Sequence, residues 1–220
     1  MPRALELFSG TNSVGELLRQ NGWEVTSLDN RPKYNPTIAT DITTWDYSQY
    51  PKGHFEYIHA SPPCCEYSRA LSTRPRRFEN ADPLALRALE IIAALQPKWW
   101  TIENPDGELK NRWFMEPLQQ YLHKISYCKY SDDTTQFKYK KPTCIWTNLR
   151  WTPRPMCCKA SPCEWVEGKT MHPVNAQKMQ NPGRDQINFK TDDLGKLPPA
   201  LVQEWVDAMR VHDPSEPLPN

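Results

Sequence analysis

The sequence predicts an α/β protein built on a doubly wound, Rossmann-like sheet, and three observations carry that expectation. A short apolar run, a glycine-bearing turn, a helix and a second apolar run follow one another between Arg3 and Leu28. Further strand-like runs then alternate with helical ones as far as Leu149, the pattern of parallel strands joined by crossovers. Beyond Arg150 the apolar periodicity stops, and Pro, Cys, Lys, Gln and Asn dominate until a final helical pattern begins near Pro198.

Taken in order, Arg3 to Phe8 reads as the first strand, running into the turn Ser9 to Gly15 and a helix through Gln20. Gly22 to Leu28 is a second strand that stops at Asp29, and a short third strand precedes Asp41 and Ile42. Phe55 to Ala60 is a strand ending at the turn Ser61-Pro62-Pro63-Cys64. Pro83 to Leu95 carries alanines and leucines at helical spacing, and Trp99 to Glu103 is the next strand. A helix over 113–124 leads to a strand over Ile125 to Tyr130, which pairs antiparallel, as a hairpin, with Thr143 to Leu149. Residues 150–196 form a small, irregular, Cys-rich insertion, and Pro198 to Met209 is a closing helix opened by proline. The division expected is a catalytic unit over 1–149, the insertion over 150–196, a helix over 197–212 that packs back on the first unit, and a flexible tail over 213–220.

A chain of 220 residues suits one sizeable core. The 27 lysines and arginines nearly balance 26 acids, so any nucleic-acid contact must come from local patches rather than a global field. No run approaches the roughly 18 apolar residues of a membrane span, and the N-terminus lacks a basic stretch followed by an apolar one, so a soluble intracellular chain with no membrane partner is expected. Seven cysteines, with adjacent pairs at Cys64-Cys65 and Cys157-Cys158, are poor material for a disulfide framework and point to reduced thiols in catalysis or metal binding.

The turn between a first strand and first helix lets backbone amides approach a ligand, and an acid ending the second strand can meet ribose hydroxyls. Phe8 to Gly15 and Asp29 fill those positions. The fingerprint G-x-G-x-x-G is absent, which disfavours a dinucleotide and leaves a nucleoside-type cofactor. Asp41 and Ile42 offer a carboxylate and an apolar wall to an adenine.

Cys64 follows one strand and Glu103-Asn104-Pro105 closes the next, and in a doubly wound sheet such ends share the ligand-binding edge. Cytosine carbon 5 is too weak a nucleophile to accept a methyl group from a sulfonium unaided. A thiolate adding to carbon 6 makes the ring enamine-like, and an acid at nitrogen 3 stabilises the charge that develops. That chemistry asks for one cysteine and one carboxyl group in one pocket.

Leu7-Phe8-Ser9-Gly10, Asp29, Asp41-Ile42, Pro62-Pro63-Cys64 with Ser68, and Glu103-Asn104 resemble, in order and spacing over residues 3–149, the motifs of the DNA cytosine-5 methyltransferases, especially compact phage and viral forms. The resemblance implies a methyltransferase sheet, S-adenosylmethionine as donor and a flipped cytosine in double-stranded DNA as substrate. It implies Cys64 as nucleophile and Glu103 at nitrogen 3, with Phe8, Ser9, Gly10, Thr11, Asn12, Ser13, Asp29, Asn30, Asp41, Ile42 and Pro62 around the cofactor. Ser68, Arg69, Asn104, Gln136, Lys138 and Lys140 are the expected substrate contacts. Cys65 stands where the family commonly has glutamine, and Pro105 replaces the usual valine. Gln136 to Lys140 stands for the family's Gln-x-Arg-x-Arg element, with Lys141, Pro142 or Cys144 as alternative registers. Cytoplasm is the expected compartment, or the nucleus or a viral factory for a eukaryotic virus.

Arg69, Arg74, Arg76 and Arg77 suggest a basic loop closing over phosphates. The region after Arg150 is much shorter than the family's recognition domain, so a targeting partner or an oligomer is expected to help find the site. There, Cys157, Cys163 and His172 offer three ligands to a structural zinc, with Cys158 or Cys144 as fourth. Alternatives are the same chemistry on RNA or a nucleotide, an amino-methyltransferase reading of Ser61-Pro62-Pro63, which Cys64 cannot complete by stacking, and a catalytically idle nucleic-acid-binding module.

Overall fold

The computed structural model describes residues 1–132, 137–166, 172 and 195–211. Its elements are β1 (Arg3–Leu7), α1 (Ser13–Gln20), β2 (Glu24–Asp29), β3 (Ile38–Ala39), β4 (Tyr57–Ala60), α2 (Phe78–Leu95), β5 (Trp99–Pro105), β6 (Leu122–Ser126), β7 (Pro142–Thr147) and α3 (Pro199–Val211). The strands form one sheet in the order β3-β2-β1-β4-β5-β7-β6. The first five run parallel, while β7 lies antiparallel between β5 and β6.

Burial follows from helices covering both faces. All four residues of β4 are buried, as suits a central parallel strand. One face packs under α2, whose Ala81, Ala85, Ala88, Ile91, Ile92 and Leu95 recur at helical spacing and meet Ile58, Ile102 and Trp146 in one core. The other packs under α1 and α3, where Val14, Leu18, Leu201, Trp205 and Val206 join Tyr57 and Ile145. Among the described residues no helix is long and apolar enough to cross a membrane.

Most strand and helix ends shift by one or two residues from the sequence pattern, and three elements depart further. Helix α2 begins at Phe78 rather than Pro83, so the proline sits inside it and forfeits one intrahelical hydrogen bond instead of opening the helix. The expected helix over 113–124 is a run of tight 3₁₀ turns, Trp113–Tyr121, interrupted by Pro117. The following strand covers Leu122–Ser126, not Ile125 to Tyr130. Its pairing ends where Ser126 faces Pro142, which has no N–H to give, and Tyr127–Tyr130 folds into a further 3₁₀ turn. Residues 150–166 contain neither helix nor strand, in keeping with an irregular insertion.

Candidate active site

The site follows from strand register. Leu7 lies opposite both Leu28 and Ala60, and Ala60 lies opposite Ile102. The next residues along each strand, Phe8, Asp29, Ser61 and Glu103, are therefore brought to one sheet edge. An open cavity of about 700 Å³ lies there. Of the residues expected around a cofactor, Phe8, Ser9, Gly10, Thr11, Ser13, Asp29, Asn30, Asp41, Ile42 and Pro62 line it. So do Cys64, Ser68, Arg69, Glu103 and Lys140.

The loop from β1 to α1 is tightly wound. Phe8, Gly10 and Asn12 all have positive φ, at 59°, 46° and 59°. For Phe8 this is a strained conformation, persisting only because neighbours over-determine it. The Ser9 N–H donates to the Leu28 carbonyl at 3.0 Å, and the Gly10 N–H donates to Asp29 Oδ2 at 2.8 Å. Asp29 is buried, and its oxygens also accept from the Arg31 backbone and guanidinium. Its first task is thus to lock the loop to β2. Asn12 heads α1 and lies off the cavity wall. Its Oδ1 and Ser9 Oγ are buried without a hydrogen-bond partner among the described residues.

Glu6, on β1, lines the cavity from beneath and was not singled out by its sequence. It accepts from the Val14 and Gly15 N–H groups at the start of α1, yet burial pushes its carboxyl up to about 8. A second buried polar chain runs from Tyr57 through Thr101 and His59 to Ser61, with contacts of 2.6, 2.7 and 2.9 Å. Burial depresses the His59 imidazole to about 3, keeping it neutral.

Cys64 opens a helical turn whose Tyr67 and Ser68 N–H groups donate to its carbonyl at 3.0 and 2.8 Å. The preceding proline turn is braced by Asn104, which is fully buried and donates to the Pro62 carbonyl at 2.9 Å. Asn104 therefore braces the nucleophile loop and is not among the residues that line the cavity. On the far side, Gly107 lets the chain after β5 pass against Tyr67, and the Glu108 N–H donates to the Tyr67 carbonyl at 2.8 Å. Tyr67 in turn donates to Asp82, itself gripped by Arg112.

Glu103 is buried and accepts from the Tyr127 hydroxyl at 2.9 Å, with Lys141 Nζ 3.8 Å from the same oxygen. Lys141 also lies over the Tyr127 ring at 4.4 Å. Burial raises the Cys64 thiol above its ordinary value; the Lys141 cation opposes this, and the Glu103 charge adds to it. Thiol, carboxylate and ammonium thus act on one another inside one cavity. Lys141, one of the alternative registers, is the cation that reaches Glu103, while Lys138 stands over the Trp165 ring at 4.2 Å and off the cavity wall. Gln136 lies outside the described residues. Tyr127 carried no motif and could only be found from the fold.

The basic loop is partly spent on its own shape. Arg74 forks onto Glu66 at 2.6 and 3.0 Å, Arg76 donates to the carbonyls of Glu66 and Ser68, and the Arg77 N–H donates to Glu66. Arg69 is mostly exposed at the cavity, 3.6 Å from Asp106. Away from the cavity, Cys157, Cys163 and His172 come together as expected, but the fourth group is Cys128. Cys158 is exposed, and Cys144 is buried in β7 beside Asp106.

Comparison with known proteins agrees with this geometry. A family model described as C-5 cytosine-specific DNA methylase matches residues 24–135. The probable DNA (cytosine-5)-methyltransferase of Frog virus 3 (isolate Goorha) is 31% identical over 234 residues, covering 93% of this chain and 99% of that protein. Among solved structures, a putative DNA modification methyltransferase encoded within an E. coli prophage aligns with a TM-score of 0.50 at 12% identity, over 71% of this chain and 52% of that one. The S. pombe Dnmt2 methyltransferase aligns with a TM-score of 0.47 at 16% identity, over 67% of this chain and 48% of that one. The chain spans about half the length of these solved structures, and at such identities the prophage protein speaks to the fold alone. The sheet order, the Pro-Pro-Cys turn facing a strand-end glutamate, and the end-to-end match to the viral protein together assign the chain to the C-5 cytosine-specific DNA methylase family.

Proposed function

We propose that the chain transfers a methyl group from S-adenosylmethionine to carbon 5 of cytosine in double-stranded DNA, through a transient bond between Cys64 Sγ and carbon 6. The observation that carries this reading is that one cavity holds the Cys64 thiol and Glu103 carboxyl together with the wound loop at Phe8–Ser13, Asp29, Asp41 and Ile42.

The residues present fit the cofactor. Ser9 Oγ is a buried polar atom without a partner on the cavity wall, ready for a polar ligand. Asp29 can exchange its contact with the half-exposed Arg31 guanidinium for ribose hydroxyls while Oδ2 keeps the Gly10 amide. Ile42 supplies an apolar wall beside the Asp41 carboxylate. When bound, the cofactor supplies an electrophilic methyl group.

Cys64 adds to cytosine carbon 6 after losing its thiol proton, and Lys141 favours the thiolate against the pull of burial. Glu103, held by Tyr127 and Lys141, meets ring nitrogen 3, where charge develops as carbon 5 becomes nucleophilic. After transfer a base removes the carbon 5 proton, the Cys64–carbon 6 bond breaks, and the thiol is released. A duplex cytosine hides carbon 6 in the stack, so it must flip into the cavity, with Arg69 and Lys140 placed to meet its phosphates. The unit over 1–149 carries this chemistry, and the short region over 150–196 reads flanking sequence with help from a partner or a second copy.

The test is a mechanism-based trap. Duplex DNA of mixed sequence carrying 5-fluorocytosine, mixed with cofactor, is expected to form a covalent adduct mapping to Cys64. Adduct at Cys65 reassigns the nucleophile, adduct on RNA alone replaces the substrate, and no adduct on either overturns the reading.

A further inference from the structure

We infer that Cys128, Cys157, Cys163 and His172 bind one zinc ion, which clips the insertion after Arg150 onto the end of β6. This inference stands independently of the methyl-transfer reading. The four ligand atoms all lie within 4.8 Å of one another, and His172 Nε2 is 3.5 Å from Cys157 Sγ and 3.3 Å from Cys163 Sγ. With zinc–sulfur and zinc–nitrogen bonds near 2.3 and 2.0–2.1 Å, tetrahedral edges come to about 3.6 Å for sulfur–nitrogen and about 3.8 Å for sulfur–sulfur. The two sulfur–nitrogen separations therefore already match, and the widest pair needs to close by only about 1 Å.

Chemistry and packing agree. Three thiolates and one imidazole are soft and borderline ligands that select zinc over magnesium or calcium. Four protein ligands leave no open position, so the site is structural. Around it, residues 150–166 form no helix or strand, and the local core consists of the three cysteines with partly buried Trp165 and Val166. So small an apolar cluster is weak cover for an irregular segment, and a metal supplies the missing constraint. Backbone contacts point to the same junction: the Cys157 N–H donates to Ser126 Oγ at 3.3 Å, and Lys129 Nζ to the Pro162 carbonyl at 2.8 Å. Cys128 directly follows Tyr127, the donor to Glu103, so the clip also sets the backbone that carries that hydroxyl.

Binding zinc displaces the thiol protons to solvent, with no redox change. The full chain, purified reduced from zinc-supplemented cells without a metal-affinity tag, is expected to contain one zinc per chain by elemental analysis. Cobalt(II) exchanged into it should give the intense visible bands of a tetrahedral site and a near-ultraviolet thiolate-to-cobalt band. Cys128→Ser, Cys163→Ser and His172→Ala are expected to lose the metal, and Cys158→Ser and Cys144→Ser to keep it. A second measurement, on the wild-type protein, does not depend on the ligand variants folding. Stripping zinc should raise tryptic cleavage after Lys159 by about tenfold or more, and re-adding zinc should reverse it. A reduced, metal-free chain, a Cys157–Cys163 disulfide in the peptide map, a cobalt spectrum without the thiolate band, or cleavage indifferent to zinc would each overturn the inference.

Discussion

Replacing Gly107 with alanine tests whether the nucleophile and the strand-end carboxylate depend on one close backbone crossing. A methyl group at Gly107 would lie 2.0 Å from the Tyr67 carbonyl oxygen and 2.9 Å from its carbon, where ordinary contact begins at 3.4 Å. The two segments must therefore part by about 1.4 Å at the oxygen, and both partners are backbone, so no side chain can swing aside. The Glu108–Tyr67 hydrogen bond of 2.8 Å goes with the shift. Tyr67 lies one helical turn beyond Cys64, and Gly107 lies just beyond Glu103, so the shift is passed to both groups. Misplacement by about 1 Å costs on the order of 10²-fold in rate, and the lost bond and strain cost about 1–3 kcal/mol of stability. Single-turnover transfer of labelled methyl to DNA and urea unfolding measure the two effects. At an unconstrained position, Gly→Ala stabilises by about 0.4–1 kcal/mol through the unfolded state. A variant of unchanged activity and raised stability would refute the reasoning.

Three other substitutions probe the charges around the site. Lys141→Met removes the cation that opposes burial at Cys64 and leaves the Glu103 charge acting alone, so Cys64 alkylation at neutral pH should slow by about tenfold, with exposed Cys65 as internal control; an unchanged rate refutes the coupling. Tyr127→Phe keeps the ring against Phe137 but removes a hydrogen bond to a buried carboxylate, and should destabilise the fold by about 1.5–3 kcal/mol in urea unfolding. Glu6 in the folded chain holds its proton up to about 8, whereas an ordinary carboxyl near 4.5 has released it, so stability should fall as pH rises from 5 to 8, by up to ~4 kcal/mol. Glu6→Gln should flatten that slope, and a wild-type protein equally stable at both ends would show that the two amide hydrogen bonds outweigh burial.

What could be read from the sequence was what covalent chemistry and strand order dictate. Cys64 and Glu103 had to end neighbouring strands, and the register of β1, β4 and β5 brings those ends level. Partners supplied by the connection between β6 and β7 were harder to see. Which lysine reaches Glu103 depends on where β7 starts, and pairing from Pro142 puts Lys141 there. Gly107 escaped notice because its backbone is unremarkable and only the passing Tyr67 makes it necessary. Cys128 was missed as a ligand because it lies on a different segment from its partners, joined to them only by the fold. Arg74 and Arg76 looked like phosphate contacts, but an arginine cluster near a buried glutamate and free carbonyls finds partners within its own loop first.

The packing of α3 against α1 bears on how the protein is made. Leu197 N–H donates to Ser13 Oγ, Asn21 meets Gln203 and Arg210, and Trp205 is fully buried in the core beneath both helices. Those partners are separated by 182 to 189 residues of chain. At about 5–20 residues per second, a ribosome takes roughly 10–40 s to deliver α3 after α1 has emerged. During that interval Val14 and Leu18 lack the cover that α3 provides, and Ser13 lacks its bond from Leu197. The nascent sheet is therefore finished on its α2 face well before its α1 face, and a chaperone or a bound nucleoside would act on the late-closing side.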